Sequence, residues 1–229
     1  KMIKANHGRN IVFSEMKYDD PLVYENLSAA NTLGVFQLES GGMRQFLKEL
    51  RPDDFEEIIA GISLYRPGPM ESIPLYIKNK NNPDQIEYIH EKLRPILEVT
   101  NGILVYQEQV MQVVRELGGY SYARADLVRK AMSKKKMDVM EEEREYFVNG
   151  KLDSEGNVEI SGCVRNGIPA SSANKIYDNM IDFAKYAFNK SHAACYAVLA
   201  YQTSYLKTHY KVEFMTALMT SIMGNTDKV

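Results

Sequence analysis

The amino-acid sequence predicts a mainly α-helical protein with many helices and one small β-hairpin. Over most of the 229 residues, apolar side chains recur every three or four positions, which is the spacing of amphipathic helices. Proline and glycine separate these segments, as is typical of helix ends. Residues 149–164 instead place the polar turn Asp-Ser-Glu-Gly-Asn between two apolar stretches, which indicates a hairpin.

The first third of the chain contains three predicted helices, and each begins at residues that favour a helix start. Residues 20–30, 40–50 and 52–66 begin with Asp-Pro, Ser-Gly-Gly and Pro-Asp-Asp. The apolar segment 35–38 is too short for a helix and predicts a strand. The third helix has to end before Pro67, because the residue that precedes a proline is disfavoured in the helical conformation.

The middle third alternates between helical and irregular patterns. Residues 78–84 are polar without periodicity and predict a loop. Residues 105–117 and 124–132 each carry an apolar stripe at helical spacing, and two glycines follow the first of them as a candidate C-cap. The acidic residues 138–145 are interpreted as a surface helix.

The last third is predicted to consist of long helices. Residues 169–184 keep their apolar side chains in phase throughout. Residues 191–209 repeat small side chains, which permit close approach of neighbouring helices. We therefore expect residues 191–209 to form the central helix of the domain, with Ser191 as its N-cap.

Composition excludes several classes of protein. A chain of 229 residues, 45% of them hydrophobic, can bury a core without a metal or a disulfide. Cys163 and Cys195 have no partner pattern, which argues against a disulfide framework and a zinc ribbon. The apolar segment 193–206 is shorter than the roughly 20 residues that cross a bilayer. We expect a cytoplasmic protein without membrane contact.

The net charge of −2 conceals an uneven distribution. Residues 124–136 carry a net charge of +5, and residues 138–145 carry −4. Several cations at one place suit polyphosphate, whose charge is spread over many oxygens. A solvated helix face is the alternative interpretation of this basic run.

Two further cationic positions lie next to predicted helix ends. Arg66 precedes a Pro-Gly-Pro turn, which would hold it in a set direction, and Lys190 and His192 lie where the last long helix starts. An ordinary loop arginine and an ordinary helix cap are the respective alternatives. The common catalytic and metal-ligand patterns are absent from the sequence, so we predict neither a catalytic residue nor a metal site in this chain.

Five segments with these features closely resemble, in the same order, blocks of a known family. They are residues 34–40 (GVFQLES), 65–69 (YRPGP), 105–111 (VYQEQVM), 125–132 (ADLVRKAM) and 188–192 (FNKSH). The family is that of the bacterial replicative DNA polymerase III alpha subunits, which are C-family polymerases. The resemblance runs over essentially the whole chain and corresponds to the fingers region.

This resemblance implies a domain division and an activity. Residues 1–30 are expected to be a helical segment that follows the palm, and residues 31–229 the fingers domain, with residues 149–164 as a hairpin insertion. The whole enzyme is expected to be a DNA-directed DNA polymerase, a nucleotidyltransferase that uses Mg²⁺ held by palm carboxylates. Because the chain begins at Lys1 without an initiator methionine, we expect a piece of a longer protein. In the family the palm carboxylates precede the region covered here, so the resemblance implies that this piece lacks them and is inactive alone.

The resemblance also implies a set of binding residues for the triphosphate of the incoming dNTP. They are Arg66, Arg129, Lys130, Lys190, Ser191 and His192. The other cations of the basic run, Arg124, Lys134, Lys135 and Lys136, are expected to contact DNA. Many family members have two arginines where this chain has an Arg-Lys pair at 129–130, so one bidentate fork becomes a point charge. Asn101 replaces a tyrosine that is common at its position.

Partners follow from the same resemblance, and two other functions stay open at this stage. The implied partners are primer-template DNA, dNTPs, the palm and thumb of the same subunit, and a sliding clamp and other replisome subunits bound through other regions. One alternative is a helical nucleotide- or DNA-binding module without turnover. The other is an interaction scaffold whose basic run docks an acidic partner. Salt-dependent binding of dNTP or DNA separates the nucleic-acid functions from the scaffold.

Overall fold

The computed structural model describes residues 1–224, which are mainly α-helical. Within these residues lie thirteen α-helices and one sheet of two antiparallel strands. The predicted fold class, mainly α with a small hairpin, is confirmed. No helix in the described part of the chain has the length and apolar character that a membrane span needs.

The helices and strands follow one another in this order. The first six helices are α1 Met2–His7, α2 Pro21–Ser28, α3 Gly41–Leu50, α4 Phe55–Leu64, α5 Ile73–Asn81 and α6 Arg94–Leu97. The remaining seven are α7 Gln107–Gly118, α8 Tyr122–Ser133, α9 Met137–Asn149, α10 Gly162–Arg165, α11 Ala170–Ala184, α12 Lys190–His209 and α13 Lys211–Ile222. Strands β1 Lys151–Leu152 and β2 Val158–Ile160 form the hairpin between α9 and α10.

Capping side chains confirm the three predicted helix starts in the first third. The Asp20 carboxylate accepts a hydrogen bond from the backbone N–H of Leu22 at 3.0 Å, and Pro21 opens α2. Ser40 and Asp54 accept from the N–H groups three residues further on, at the starts of α3 and α4. These caps satisfy N–H groups that have no partner within the helix.

The predicted N-cap of the last long helix is wrong. α12 begins at Lys190, so Ser191 lies within its first turn. The N–H of Lys190 donates to the carboxylate of Glu108 on α7, with distances of 3.2 and 3.1 Å to the two oxygens. A carboxylate from a distant part of the sequence therefore satisfies the start of this helix, where the local pattern assigned a serine.

Residues 35–38 form consecutive turns, and the predicted strand is wrong. The N–H of Val35 donates to the carbonyl oxygen of Thr32 at 2.9 Å, and that of Leu38 donates to Val35 at 3.1 Å. Gln37 has a φ of 65°, which no extended strand contains. Val35 and Leu38 are both buried, so this short apolar segment is a turn that contributes to the core.

Residues 78–81, predicted to lie in a loop, form the last turn of α5. Ile73 and Tyr76 are its buried residues, and both lie in its first half. The polar second half shows no apolar periodicity because it has no buried stripe to maintain. A proline in the first turn of α5 favours the helix start, and this local signal could have predicted it.

The chain divides into two compact units. The first unit comprises residues 1–65 together with the described residues from Ser191 onward, and the second comprises residues 66–190. The chain therefore leaves the first unit after α4 and returns to it within the first turn of α12. The domain boundary predicted at residue 30 lies inside the first unit and stays a prediction.

The core of the first unit contains side chains from α2, α3, α4 and α12. Leu27, Phe46 and Ile58 are buried on the first three of these helices. Tyr201 of α12 is fully buried, and its hydroxyl accepts a hydrogen bond from the N–H of Asp20 at 2.8 Å. Burial raises the pKa of Tyr201 to about 12, so its hydroxyl stays neutral.

The core of the second unit contains side chains from α7, α8, α9 and α11 and from the hairpin. Val114, Val128 and Ile160 are buried in one cluster with the aromatic rings of Phe147 and Tyr177. The centroids of those two rings lie 5.4 Å apart. This cluster fixes α7, α8 and α11, whose ends carry most of the residues described next.

Candidate functional site

The second unit contains a cavity of about 540 Å³ that joins segments far apart in the sequence. Four of the five segments that carry the family resemblance contribute to its wall. The lining residues are Arg66, Pro67, Pro69, Gln107, Met132, Ser133, Lys135, Ala184, Lys185, Tyr186, Ala187 and Phe188. The fold thus brings together at one place motifs that are separated by up to about 120 residues.

Arg66 is held at the cavity by an aromatic ring and by a rigid turn. Its guanidinium carbon lies 4.0 Å from the centroid of the Phe188 ring, which is a cation–π contact. Gly68, in the following turn, has a φ of 98°, and a Cβ there would lie 2.1 Å from Cδ1 of Tyr186. Only glycine allows this turn to pack against the tyrosine, so the turn and the arginine are fixed together.

Backbone and side-chain hydrogen bonds attach the 188–192 segment to the start of α7. The N–H of Gln107 donates to the carbonyl oxygen of Phe188 at 2.9 Å. The Asn189 amide donates to the Glu108 carboxylate at 2.8 Å, and the same carboxylate accepts the N–H of Lys190. The Lys190 ammonium lies 5.3 Å from the centroid of the Tyr106 ring. Glu108 lies within the VYQEQVM segment and was not among the predicted site residues.

Lys135 of the cavity wall follows the end of α8, at a position that is usually glycine. α8 ends with two hydrogen bonds, in which the N–H of Lys135 donates to Met132 and that of Lys136 donates to Ala131, at 3.0 and 2.8 Å. This pattern is a Schellman motif, in which the residue at the Lys135 position has a positive φ and is usually glycine. Lys135 has a φ of 52°. A lysine in this conformation costs about 1–2 kcal/mol of folding free energy, so Lys135 is less favourable here than a glycine would be.

Arg129 and Lys130 share one carboxylate on their own helix. Asp126 lies 2.7 Å from Nη2 of Arg129 and 2.7 Å from Nζ of Lys130. Hydrogen bonds from Lys130 and from Arg129 hold the pKa of Asp126 below its usual value. The three residues therefore carry a net charge of +1 and are preorganised as a unit. Neither cation lines the cavity.

Arg124 forms a largely buried ion pair. Its Nη2 lies 2.5 Å from Oε1 of Glu143, whose side chain is 2% exposed, and its Nε donates to Oε2 at 3.2 Å. A further carboxylate, that of Glu159 on β2, lies 3.9 Å away. Arg124 therefore joins α8 to α9 and to the hairpin. Because Glu143 is buried, the interpretation of residues 138–145 as a surface helix is wrong for this residue.

The other predicted site residues lie on exposed surfaces. Lys134 and Lys136 are exposed beside the end of α8. Ser191 and His192 belong to the first unit and are exposed as well, and the His192 ring lies 4.5 Å from that of Tyr196. Among the charged residues of the cavity wall, Lys185 was not predicted, and it is paired with Asp182 at 2.9 Å.

One group of three carboxylates occurs among the described residues, and helix capping accounts for its arrangement. Asp53, Asp54 and Glu57 have oxygens within 4.8 Å of one another. The N–H of Asp53 donates to Glu57 at 2.9 Å, and the N–H of Glu57 donates to Asp54 at 2.8 Å. This reciprocal pattern stabilises the start of α4.

The second unit is thus a helical structure with cations arranged around the ends of helices, which is a class of structure suited to phosphorylated ligands. Comparison with known proteins gives the family. The sequence pattern described as the bacterial DNA polymerase III alpha subunit finger domain matches residues 1–155, and the chain belongs to this family.

Relatives in several bacteria are similar over most or all of the chain. The DNA polymerase III alpha subunit of Bacillus subtilis is 44% identical over 228 residues, and that of Thermus aquaticus is 45% identical over 234. Both alignments cover 100% of this chain. The Pasteurella multocida subunit is 48% identical over 218 residues and 92% of the chain. The chain spans about a fifth of the length of these relatives, 18–19% of each.

Proposed function

We propose that this chain is the fingers part of a template-directed DNA polymerase and that its cavity receives the triphosphate of the incoming dNTP. The observation that carries the proposal is the meeting of four family segments at one cavity with a cationic wall. The charged residues of that wall are Arg66, Lys135 and Lys185. No described carboxylate pairs with the first two, so they retain positive charge for a ligand.

The role of these residues is to bind and orient phosphate groups. Arg66, held over the Phe188 ring, donates in a set direction to phosphate oxygens. Lys135, which the sequence predicted to contact DNA, adds a point charge to the same wall. Arg129, Lys130 and Lys190 do not line the cavity, and their contacts with the triphosphate stay predictions from the resemblance, as do those of Ser191 and His192. Cations placed in advance stabilise charge that develops during phosphoryl transfer.

The exposed lysines at 134 and 136 are proposed to contact the DNA backbone. They flank Lys135 of the cavity wall in the sequence, and their ammonium groups form no ion pair with described carboxylates. Arg124 was also predicted to contact DNA, but its guanidinium is occupied by the buried Glu143 carboxylate. We therefore propose a structural role for Arg124 and the contact with DNA for the lysines. The palm and thumb, and the clamp and other replisome subunits, are proposed as the remaining partners.

The cavity does not fit Mg²⁺, which prefers oxygen ligands and above all carboxylates. Its charged wall residues are cations, and no described carboxylate lines it. The magnesium ions of the polymerase reaction are therefore proposed to be held by carboxylates of another domain, the palm. Under this proposal the residues of this chain bind, orient and neutralise phosphate without holding the metal.

Steady-state kinetics of primer extension by the full-length polypeptide test the proposal. We expect Arg66→Ala to raise the KM for dNTP by about tenfold, since a charge-assisted hydrogen bond contributes about 1.5–3 kcal/mol. Arg66→Lys keeps the positive charge but loses the planar guanidinium that can donate two hydrogen bonds to one phosphate, so its KM is expected to be intermediate. Lys175→Ala, an exposed lysine on α11 outside the cavity wall, is the matched control. Equal KM values for Arg66→Ala and this control would refute the assignment.

A nucleotide- or DNA-binding module without turnover is the second candidate. The observation that favours it is the same absence of carboxylates from the described cavity wall. Primer extension separates the two, because a polymerase incorporates dNTP into primer and a binding module only retains it. If the full-length polypeptide binds dNTP but extends no primer under any metal condition, the binding module is the correct function.

A further inference from the structure

A second cationic cavity, of about 420 Å³, lies entirely within the first unit. It is formed where α2 ends, where α3 begins and where α12 continues into α13. Its lining residues are Asn26, Asn31, Leu33, Arg44, Lys207, Thr208, Lys211 and Met215. None of them belongs to the sets of binding residues discussed above, so this cavity has no role in the proposed function.

The charge of this cavity is positive and uncompensated. Arg44, Lys207 and Lys211 line it together, and no described carboxylate lines it or forms an ion pair with any of the three. Burial lowers the pKa of Lys207, and repulsion from Lys211 and Arg44 lowers it further. Like charges that face one cavity destabilise each other unless an anion lies between them. Their convergence therefore points to an anionic ligand.

Hydrogen bonds to the main chain hold two of the cations in place. Nε of Arg44 donates to the carbonyl oxygen of Ala30 at 3.2 Å, which leaves the terminal nitrogens of its guanidinium available. The Lys207 ammonium donates to the carbonyl oxygen of Leu33. Both side chains are thus anchored at one atom each and retain further N–H groups, as expected for a site that is formed before its ligand binds.

Neutral polar groups complete the wall. The Asn26 amide donates to the Thr208 hydroxyl at 3.3 Å, and the Asn31 amide donates to the Asn26 side-chain oxygen at 3.1 Å. The Thr208 hydroxyl and the second N–H of Asn31 can each donate to an oxyanion. Cations and neutral donors around one cavity match the several oxygens of a phosphate group better than a single carboxylate.

We propose that this cavity binds phosphate oxyanions at Arg44, Lys207 and Lys211, independently of the dNTP cavity of the second unit. The phosphate is carried either by a DNA strand or by a free polyphosphate such as pyrophosphate. Lys211 is exposed and therefore accessible to a DNA strand, and Lys207 is partly buried. The two sources are separated by experiment.

The experiment uses the full-length polypeptide and compares Lys211→Glu with Lys17→Glu. Both lysines are exposed residues of the first unit, and only Lys211 lines the cavity. In the first arm, the affinity for fluorescent primer-template DNA is measured by anisotropy over a range of salt concentrations. In the second arm, inorganic pyrophosphate is titrated calorimetrically in the absence of DNA. Arg44→Gln is a second variant, which removes charge without reversing it.

If a DNA strand is the source, Lys211→Glu weakens DNA binding by about tenfold and lowers the salt slope by about one, while Lys17→Glu changes neither. If a free polyphosphate is the source, Lys211→Glu and Arg44→Gln each weaken pyrophosphate binding by about tenfold and leave DNA binding unchanged. The proposal is overturned if neither arm responds, or if Lys17→Glu has the same effect as Lys211→Glu.

The outcome is separable from that of the proposed function. The KM for dNTP at saturating DNA reports on the cavity of the second unit and is expected to stay within about twofold in the Lys211→Glu and Arg44→Gln variants. Far-UV circular dichroism and melting temperature establish that both variants are folded. Arg66→Ala is expected to show the opposite pattern, with a raised KM for dNTP and an unchanged affinity for primer-template DNA.

Discussion

The two ends of α8 carry the same kinds of side chain and differ in what those side chains can do. At the beginning and middle of the helix, each cation has a carboxylate partner, Glu143 for Arg124 and Asp126 for Arg129 and Lys130. At its end, residues 134–136 are lysines without a described carboxylate partner. The net charge of +5 over residues 124–136 counts the paired cations at the beginning together with the unpaired lysines at the end. The charge available to a ligand is therefore concentrated at residues 134–136.

This difference shows that a cation has two uses in one helix. Paired with a buried carboxylate it joins secondary-structure elements, and its removal costs stability. Left unpaired at a helix end it attracts an anionic ligand, and its removal costs affinity. Variants at the two ends should accordingly change different measurements, and the four predictions below test this separation from the largest expected effect to the smallest.

The largest effect is expected at the paired end. Glu143→Ala leaves Arg124 without the carboxylate that it contacts through two nitrogens, so we expect the region around α8 and α9 to lose about 3 kcal/mol of stability. Hydrogen exchange of the α8 and α9 amides in the full-length polypeptide measures this as an increase of about 100-fold. Glu142→Ala, an exposed neighbour, is the control and should change exchange little. Equal exchange in both variants would contradict a structural role for the pair.

The second prediction concerns Lys135, where stability and function are expected to change in opposite directions. Lys135→Gly removes the cost of a positive φ, so the end of α8 should gain about 1 kcal/mol and its amides should exchange more slowly. The same change removes a cation from the cavity wall, so the KM for dNTP should rise several-fold. Lys134→Gly, at a residue with a negative φ, should lower stability instead. An unchanged KM would mean that Lys135 is only a helix cap.

Local signals predicted most of the fold. The caps at Asp20, Ser40 and Asp54 lie within three residues of the N–H groups that they satisfy, so the sequence contains the whole interaction. The start of α12 differs, because its partner Glu108 is 82 residues away. The turn at residues 35–38 was missed for a similar reason, since the buried positions of its apolar side chains depend on the packing of the first unit.

The candidate site was predictable only in part. The motif positions indicated Arg66 and the basic run, and the structure brings Arg66 and Lys135 to one cavity. The packing of Tyr186 on Gly68 joins residues 118 positions apart, and no periodicity in the sequence reports it. The pairing of Arg124 with Glu143 was hidden for a different reason, because a buried glutamate in an acidic run looks like a solvated one.

The third prediction sharpens the comparison at Asp126, the carboxylate between two cations of the predicted dNTP site. Asp126→Asn removes the negative charge next to Arg129 and Lys130, so their attraction for phosphate should increase and the KM for dNTP should fall by about twofold. The effect should diminish at high salt, because the pair is partly exposed. A rise in KM would show instead that the Asp126 carboxylate aids dNTP binding, because it holds the side chains of Arg129 and Lys130 in place.

The smallest effect is expected in the pH dependence of stability, and its sign follows from the same carboxylate. Hydrogen bonds from Lys130 and Arg129 lower the pKa of Asp126 from its ordinary value of 3.8, so the folded state binds its proton less readily than the unfolded state. The stabilisation is therefore complete above pH 3.8 and is lost as the pH falls below it. The melting temperature of the wild type should exceed that of Asp126→Asn at pH 5, and the difference should shrink at pH 3. Because the pair is exposed to solvent, this difference should also be smaller in high salt at pH 5. A difference that is the same at both pH values would show that the substituted amide disturbs the helix itself, and the charge of Asp126 would then have no part in holding Arg129 and Lys130.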